Sequence, residues 1–330
     1  MLGVFSKNNR YNTLSNYYKD KYGKKVFKVP INAGFTCPNL DGKVAKGGCK
    51  FCSAFGSGEF GGNRKDPFDK QFNQIKERLH QKWPDALYCV YLQAYTNTYA
   101  PLPKLKEIYE EAISLDPNIV QISISTRPDE ISMEIVEYLA ELDKKIDVQV
   151  ELGLQTIYEE TANEMNRAHT LQSFIDAVEM LRSKNIETVV HIINGLPNET
   201  AEMMIETAKF LNTVDIQGVK IHMLNILSNS KLGQEYLKKP FKVLSRDEYI
   251  NIVCEQIGWL NKNIVIHRLT GDSDEKYLIE PQWVKKKFTI LNDINKRLKK
   301  LNLYQGDYYD ASQKDNWVRS FINKRLFKAI

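Results

Sequence analysis

The stretch "IVQISISTRPDEISMEIVEYLAELDKKIDVQVELGLQ" (residues 119–155) contains the unit from which the fold of this chain is predicted. Its two ends, 119–127 and 147–155, are apolar runs rich in Ile and Val, which is typical of buried β-strands. Residues near 132–143, between them, carry apolar side chains at helical spacing. Strand, helix and strand in this order predict two parallel strands joined by a right-handed crossover.

The same unit continues in both directions along the chain. Further strands are predicted at 26–34, 86–95, 187–197 and 216–224, and further helices near 68–83, 103–115, 171–184 and 200–213. Six strands that alternate with helices predict an α/β fold with a parallel sheet, either a partly closed barrel or an open doubly wound sheet. In both architectures the chemistry lies at the carboxyl ends of the strands.

The pattern changes after residue 225. "SRDE" at 245–248 is a capping box that predicts a helix reaching about residue 263. Residues 264–272 are typical of another strand, and 283–301 of a basic helix. The predicted domains are a basic N-terminal lead at 1–25, a (β/α)6 core at 26–228, and a small basic α/β extension at 229–330 that is a possible RNA contact.

The composition of the 330 residues, with 42% apolar and 26% charged, is that of an ordinary globular protein. No segment approaches the roughly 20 consecutive apolar residues that a membrane helix needs. The first ten residues lack the apolar run of a signal peptide. We therefore expect a soluble cytoplasmic protein that has no membrane partner.

The net charge of +5 is unevenly distributed. Residues 1–30 carry +6 and residues 281–330 carry +8, so the remainder of the chain is acidic with −9. Two basic ends suggest a polyanionic partner such as RNA, although lysine-rich faces that are merely solvated have the same composition. Four aromatic residues in or near these ends either stack on an exposed base or pack against the fold: Tyr17, Tyr18, Tyr22 and Trp283.

The loop "TCPNLDGKVAKGGCKFC" (36–52) holds three of the five cysteines. Cys49 and Cys52 form a C-x2-C pair, and eleven residues separate Cys37 from Cys49. In a reducing compartment, clustered thiols indicate metal or redox chemistry rather than disulfides. A structural zinc needs four ligands and this loop offers three, whereas three thiolates on a four-iron cluster leave one iron open for another ligand.

A cysteine triad after the first strand of such a core, with Phe51 before the last cysteine, resembles radical S-adenosylmethionine (SAM) enzymes. Most of those have C-x3-C-x2-C, so the long first gap is a departure. A stretched first gap is similar to the Elongator catalytic subunit, and the strongest resemblance is to the YtqA/YhcC (MnmL) group of bacterial radical SAM proteins. The segments that carry it are "NAGFTCPNLDG", "GGCKFC", "LQAYTNTYAPL", "STRPD", "VELGLQT", "HIINGLPNET", "RLTGD" and "YQG", from about residue 30 to 306.

The resemblance implies a partial (β/α)6 radical SAM barrel with a small C-terminal α/β extension. It also implies that Cys37, Cys49 and Cys52 bind one 4Fe-4S cluster and that SAM is the second cofactor, the source of a 5′-deoxyadenosyl radical. The residues that match the SAM-binding positions of related enzymes, or stand in their places, are Gln93, Thr96, Ser125, Thr126, Gln155, Arg167 and His191. Arg167 is expected to pair with the SAM carboxylate. Glu151, on the same strand face as Gln155, is expected to pair with Arg127.

The function that the resemblance implies is modification of the tRNA wobble uridine. The expected step converts 5-carboxymethylaminomethyluridine to 5-aminomethyluridine, with flavodoxin or ferredoxin as electron donor and a methyltransferase acting next. Lys19–Lys28 and Lys285–Lys300 are the expected phosphate contacts. Two alternatives stay open: a radical SAM enzyme that acts on a small metabolite, and a non-enzymatic RNA-binding protein stabilised by zinc.

Overall fold

The computed structural model describes Phe5 and residues 9–313. The strands are β1 (Val26–Ile31), β2 (Leu87–Leu92), β3 (Ile119–Thr126), β4 (Asp147–Gln155), β5 (Glu187–Asn194), β6 (Gly218–Met223), β7 (Ile226–Leu227), β8 (Val265–Arg268) and β9 (Leu278–Glu280). The α-helices are α1 (Leu14–Tyr22), α2 (Pro38–Asp41), α3 (Phe68–His80), α4 (Leu102–Ser114), α5 (Met133–Asp143), α6 (Glu159–Glu164), α7 (Leu171–Ser183), α8 (Ala201–Phe210), α9 (Lys231–Lys238), α10 (Arg246–Trp259) and α11 (Lys287–Leu301). The part of the predicted basic extension at 314–330 lies outside the described residues.

The main sheet has seven parallel strands in the order β1-β2-β3-β4-β5-β6-β8. The predicted α/β partial barrel is confirmed, and the six predicted core strands all belong to this sheet. A seventh strand, β8, also belongs to the sheet because it pairs with β6, although the sequence places it in the C-terminal extension. The main sheet therefore includes residues beyond position 228.

The two faces of the sheet differ in polarity. On β3, Ile122 and Ile124 are fully buried in the main apolar core, and they alternate with the buried polar residues Gln121, Ser123 and Ser125. Successive side chains on a strand point to opposite faces. One face therefore packs against the helices, and the other lines the interior of the half-barrel with polar groups.

Side-chain caps fix the starts of the crossover helices. Thr170 accepts a hydrogen bond from the Ser173 N–H at the start of α7, and Thr200 caps α8 in the same way. The capping box predicted at Ser245 and Glu248 is present and opens α10. These caps satisfy backbone N–H groups that have no partner within the helix.

Helix α1 closes the amino-terminal end of the half-barrel. The Tyr18 hydroxyl donates to Gln121 Oε1 at the start of β3 (2.6 Å), and Tyr22 donates to Asp147 at the start of β4 (2.5 Å). Tyr17 bonds to Glu187 at the start of β5. Of the two interpretations of these tyrosines, packing against the end of the fold is the one that the structure shows.

The edge strands of the half-barrel are β1 and β8, which leaves a gap between them. The segment before α1 lies against the β8 side of this gap, where the Ile266 N–H donates to the Asn12 carbonyl (2.7 Å). A separate two-stranded sheet, β7 with β9, follows the core. Within the described residues, no helix combines the length and the apolar character that crossing a membrane requires.

Candidate active site

A cavity of about 400 Å³ lies at the carboxyl ends of the strands. This volume is within the range of small-molecule sites, roughly 300 to 1,000 Å³. All ten residues predicted for the site line it: Cys37, Cys49, Cys52, Gln93, Thr96, Ser125, Thr126, Gln155, Arg167 and His191. The structure therefore brings together residues from seven separate stretches of the chain.

The cysteine loop is held in place by asparagines. The Asn39 side-chain amide donates to the Asn166 carbonyl (2.6 Å), and the Asn166 amide donates to the Gly48 carbonyl (2.7 Å). Gly47 and Gly48 have φ of +83° and +73°, a conformation that favours glycine. The two asparagine hydrogen bonds and the glycine conformations thus fix the turn just before Cys49. Residues on a loop can bind a metal centre only if the loop holds them in place.

Arg127 supports the cysteine loop indirectly, because it holds the loop after α6 to which Asn39 bonds. Its guanidinium pairs with Asp129 and donates to the Arg167 carbonyl (2.8 Å) and the Ala168 carbonyl (3.2 Å). The expected pairing of Glu151 with Arg127 is wrong. Arg127 lies beyond the end of β3 and binds the loop after α6, whereas Glu151 points into the interior of the half-barrel.

Arg167 is 1% exposed, and protein oxygens surround its guanidinium. It donates to the carbonyls of Leu154 (2.7 Å), Thr156 (2.6 Å) and His169 (2.8 Å), and it pairs with Glu159. These bonds engage all five of its N–H groups. Arg167 lines the cavity, and in this structure its guanidinium fixes the end of β4. Its ion pair with the SAM carboxylate stays a prediction.

The electrostatics of the loop favour the thiolate at Cys49, whereas the hydrogen bond between Cys49 and Cys52, together with burial, raises the pKa of Cys52. A hydrogen bond from Cys52 lowers the pKa of Cys49 to about 7, and the charges of Arg127 and Arg167 act in the same direction. The thiolate is the form of cysteine that binds metal. Within the described residues, no three Cys, His, Asp or Glu side chains converge on one point that could hold a single ion.

The remaining predicted cofactor residues differ in how far the protein already uses them. Gln93 donates to the Ser57 carbonyl (2.8 Å), and Ser125 donates to the Tyr91 hydroxyl (2.8 Å). The Thr126 hydroxyl shares a hydrogen bond with Thr98 (2.5 Å).

Among the described residues of the cavity wall, four have buried polar atoms that lack a partner. The predicted Thr96 contributes its hydroxyl, and the others are His222 Nε2 and the side chains of Asn225 and Asn229. A buried polar group without a partner costs free energy, so these atoms are suited to bind a polar ligand.

The interior of the half-barrel contains an ionic network that the sequence did not reveal. Glu151 is fully buried, and one of its oxygens accepts from Lys28 and from the Ser123 hydroxyl (2.8 Å). The other oxygen accepts from Lys220 and from His191 Nε2 (2.7 Å). Four donors therefore surround a single carboxylate.

Burial and the charges of the network shift the pKa of Glu151, Lys220 and His191. Burial opposes the ionisation of Glu151, but the charges of Lys220 and Lys28 overcome it and hold its pKa well below the ordinary value. Burial, with the charges of Lys28 and Arg268, lowers the pKa of Lys220 to about 7. Burial and the charge of Lys220 lower the pKa of His191 to about 4, so this imidazole is neutral near pH 7.

Comparison with known proteins identifies the family. The family model "Radical SAM superfamily" matches residues 43–211, just over half of the chain. The chain belongs to the radical SAM superfamily. The model "Radical_SAM C-terminal domain" matches residues 216–300, which include β8 and α10.

Individual relatives cover more of this radical SAM chain. It is 45% identical to YtqA of Bacillus subtilis, with 93% of this chain and 95% of YtqA covered, and 27% identical to YhcC of Escherichia coli, with 84% and 89% covered. It is 27% identical to a tRNA uridine(34) acetyltransferase of Methanocaldococcus infernus over 49% of this chain and 30% of that protein. The structure of M. infernus Elp3 superposes with a TM-score of 0.65 at 16% identity, covering 86% of this chain and 64% of that one, which shows the shared fold.

Radical SAM proteins use a 4Fe-4S cluster and SAM, and this chain is a radical SAM enzyme. The site fits both groups: three cysteines on one fixed loop would hold the cluster, and the unpartnered Thr96 hydroxyl beside them would meet a polar group of SAM. When bound, the two cofactors together supply a radical that abstracts a hydrogen atom from the substrate. The protein supplies the fixed loop, the polar wall and a cavity that shields the reaction from water.

Proposed function

We propose that this enzyme modifies the wobble uridine of tRNA and converts 5-carboxymethylaminomethyluridine to 5-aminomethyluridine. The C–H bonds beside the amine of this side chain are not acidic, so hydrogen-atom abstraction suits their activation better than proton removal. Loss of a hydrogen atom and one further electron from the carboxymethyl carbon would give an imine, and water would hydrolyse its C–N bond to release glyoxylate and leave the aminomethyl group. The two electrons would balance the conversion of SAM to methionine and 5′-deoxyadenosine. The similarity to an enzyme named for uridine 34 of tRNA supports this substrate class.

The observation that carries the proposal is the access to the cavity from the side. A second cavity of about 350 Å³ lies at the gap between β1 and β8. It shares Tyr91, Gln93, Lys220 and Arg268 with the cavity that contains the cysteines. A base that is turned out of a tRNA loop could enter here while the polynucleotide stays outside.

The charged surface that would hold the tRNA begins next to this cavity. Lys287 pairs with Asp272 of the cavity wall (2.7 Å), and the neighbouring Lys285 and Lys286 are exposed. The basic residues of α1 lie at the opposite, amino-terminal end of the strands. Of the two predicted phosphate-binding segments, this position favours Lys285–Lys300, whereas Lys28 pairs with Glu151 inside the half-barrel.

Trp283, the other aromatic candidate for base stacking, donates from its indole to the Leu244 carbonyl (3.0 Å) and packs against Tyr249. It contributes to the fold rather than to a stacking surface. Base stacking would instead involve aromatic residues at the cavity, of which Phe60 is 48% exposed. A flavodoxin or ferredoxin as electron donor and a methyltransferase that acts on the product remain parts of this proposal.

The test uses protein purified without oxygen, reconstituted with iron and sulfide, reduced and supplied with SAM. We measure 5′-deoxyadenosine with and without tRNA from a strain that lacks this protein, and we quantify the wobble nucleosides. We expect this tRNA to increase 5′-deoxyadenosine, and its carboxymethylaminomethyl nucleoside to be replaced by the aminomethyl nucleoside. The triple variant C37A/C49A/C52A is the control and should do neither. Formation of 5′-deoxyadenosine that ignores tRNA would retain the radical chemistry and remove the proposed substrate.

A further inference from the structure

We infer that Lys220 and Arg268 form a carboxylate-binding subsite at the inner end of the cavity, which receives the carboxylate of the substrate's carboxymethylamino group. This inference rests on the proposed function and adds to it the part of the protein that distinguishes this substrate from other modified uridines. It starts from the register of three neighbouring strands and from the balance of charge in the half-barrel.

The three strands place basic residues in one layer. His191 on β5 is the direct cross-strand partner of Lys220 on β6, and Lys220 is the partner of Arg268 on β8. All three side chains line the cavity that contains the cysteines, and Lys220 and Arg268 also line the one at the β1–β8 gap. A group entering from either side thus meets this layer.

The layer has more positive than negative charge. Lys28 and Lys220 share the single carboxylate of Glu151, and Arg268 and Lys287 share that of Asp272. Two carboxylates therefore face four basic side chains, of which Lys220 is only partly protonated near pH 7 because burial lowers its pKa to about 7. Glu59, the remaining acidic residue that lines the cavity, lies in the loop after the cysteines rather than on a strand. The two lysines that share Glu151 are the more deeply buried ones, whereas Arg268, Lys287 and Asp272 are each about one third exposed. An incoming anion would compensate the excess of basic groups around Glu151.

Lys220 keeps a donor for that anion. Its ammonium bonds to Glu151 and to the Tyr91 hydroxyl (3.3 Å), which uses two of its three N–H groups. Glu151, in contrast, already accepts from four donors and has no need of a further partner. An incoming carboxylate would therefore bind to the cations and be kept away from Glu151 by repulsion.

The layer lies deeper in the half-barrel than the cysteines. Lys220 lies three residues before the end of β6, about 10 Å below the strand ends at 3.3 Å per residue. The cysteines lie in the loop beyond the strand ends, so a carboxylate at Lys220 would lie deeper than a group that is bound at the cysteines. His222, one turn of the strand nearer the cysteines, has a buried Nε2 without a partner that can meet the substrate amine.

The test measures binding and does not depend on turnover. Two anticodon stem-loops are compared, one with 5-carboxymethylaminomethyluridine at the wobble position and one with the matching carboxamide, which has the same shape without the charge. Affinities are measured by fluorescence anisotropy with the reconstituted, unreduced enzyme. We expect wild type to favour the carboxylate about tenfold or more, the usual value of a hydrogen bond to a charged group.

Lys220→Met should reduce this preference to about one, and Arg268→Gln should reduce it in part. Lys76→Met is the matched control, because Lys76 pairs with a single acid, Asp116, and lines neither cavity; its preference should equal that of wild type. Arg268→Gln keeps the inference testable if Lys220→Met fails to fold, because Arg268 does not bond to Glu151.

The outcomes for the two proposals are separable. A wild-type enzyme that converts the tRNA nucleoside while both variants keep the full preference for the carboxylate would overturn the subsite and leave the proposed function standing. An enzyme with no activity on this tRNA, in the 5′-deoxyadenosine assay described above, would overturn the proposed function itself.

Discussion

Glu199, in the loop after β5, is the acid whose ionisation the fold opposes most clearly. The Thr156 hydroxyl donates to it (2.5 Å), and its other oxygen is buried without a partner. Burial raises its pKa to about 7. In the unfolded chain the same carboxyl titrates near 4.5, so folding favours its protonated form.

The consequence is a loss of stability as pH rises from about 4.5 to 7, because in this range the unfolded state releases the proton that the folded state retains. Glu199→Gln removes the titration and keeps the acceptor for Thr156. As the pH rises through this range, the free energy of unfolding of the variant should increase relative to that of wild type by about 1 to 2 kcal/mol. Urea unfolding of both proteins at pH 5 and pH 7 measures this, and an equal difference at both values would contradict it.

Arg127 is a positioning residue for the loop that carries the cysteines. It is 8% exposed and links Asp129 to the two carbonyls that lie behind the cysteine loop. Arg127→Met leaves those groups without a partner and should cost about 2 to 4 kcal/mol. We also expect less iron per chain after reconstitution.

Arg182→Met is the matched control for Arg127. Arg182 also joins an acid, Asp215, to a carbonyl, that of Ile186, but it does so at the amino-terminal end of the fold. Iron binding should be unchanged in this variant. Equal iron loss in both variants would show that general destabilisation, rather than the position of the loop, determines cluster binding.

Helix α1 covers the amino-terminal end of the half-barrel. Tyr18→Phe removes the hydroxyl that reaches Gln121 and leaves a buried amide oxygen without a donor, so we expect a loss of about 1 to 3 kcal/mol. Tyr138→Phe is the matched control, since the Tyr138 hydroxyl is buried without a partner and its removal should cost little. Thermal unfolding compares the two, and a larger effect of Tyr138→Phe would contradict this assignment.

The elements also show what the sequence could predict. Apolar runs between segments of helical periodicity predicted the six strands to within a few residues. The reason is that a parallel strand covered on both faces needs a nearly continuous run of apolar residues. The strand partner of "VIHR" could not be predicted in this way. Four residues carry no information about which edge they join, and the C-terminal extension gave no reason to place β8 beside β6.

The site was predictable to different depths for related reasons. The cysteines are marked by their spacing, and the residues at the strand ends by their position. The ionic network around Glu151 depends on three-dimensional neighbours, because Lys28, His191 and Lys220 come from strands far apart in the chain. A signal existed nonetheless: Lys220 and His222 are two residues apart on a buried strand, which puts both on one face.

Exposed lysines lie at both ends of the molecule, but only one group of them is near the cavity. Exposed Lys19 and Lys24 lie at the amino-terminal end of the strands, and exposed Lys285 and Lys286 lie near the cavity. Lys285→Gln/Lys286→Gln should weaken tRNA binding and lower the slope of log K against log salt by about 2. Lys19→Gln/Lys24→Gln makes the same change in charge at the far end and should alter the slope less. Equal slopes for the two double variants would show that the tRNA phosphates do not prefer the lysines near the cavity to those at the far end of the protein.

The gap between β1 and β8 gives the molecule the topology of an open ring. A ligand enters a closed barrel only through one of its ends. A group in the middle of a polymer can therefore enter only if the chain on both sides of it bends into the barrel as well. An open ring has a flank. A side group can pass through that flank at any position along a chain, and the chain need have no free end nearby.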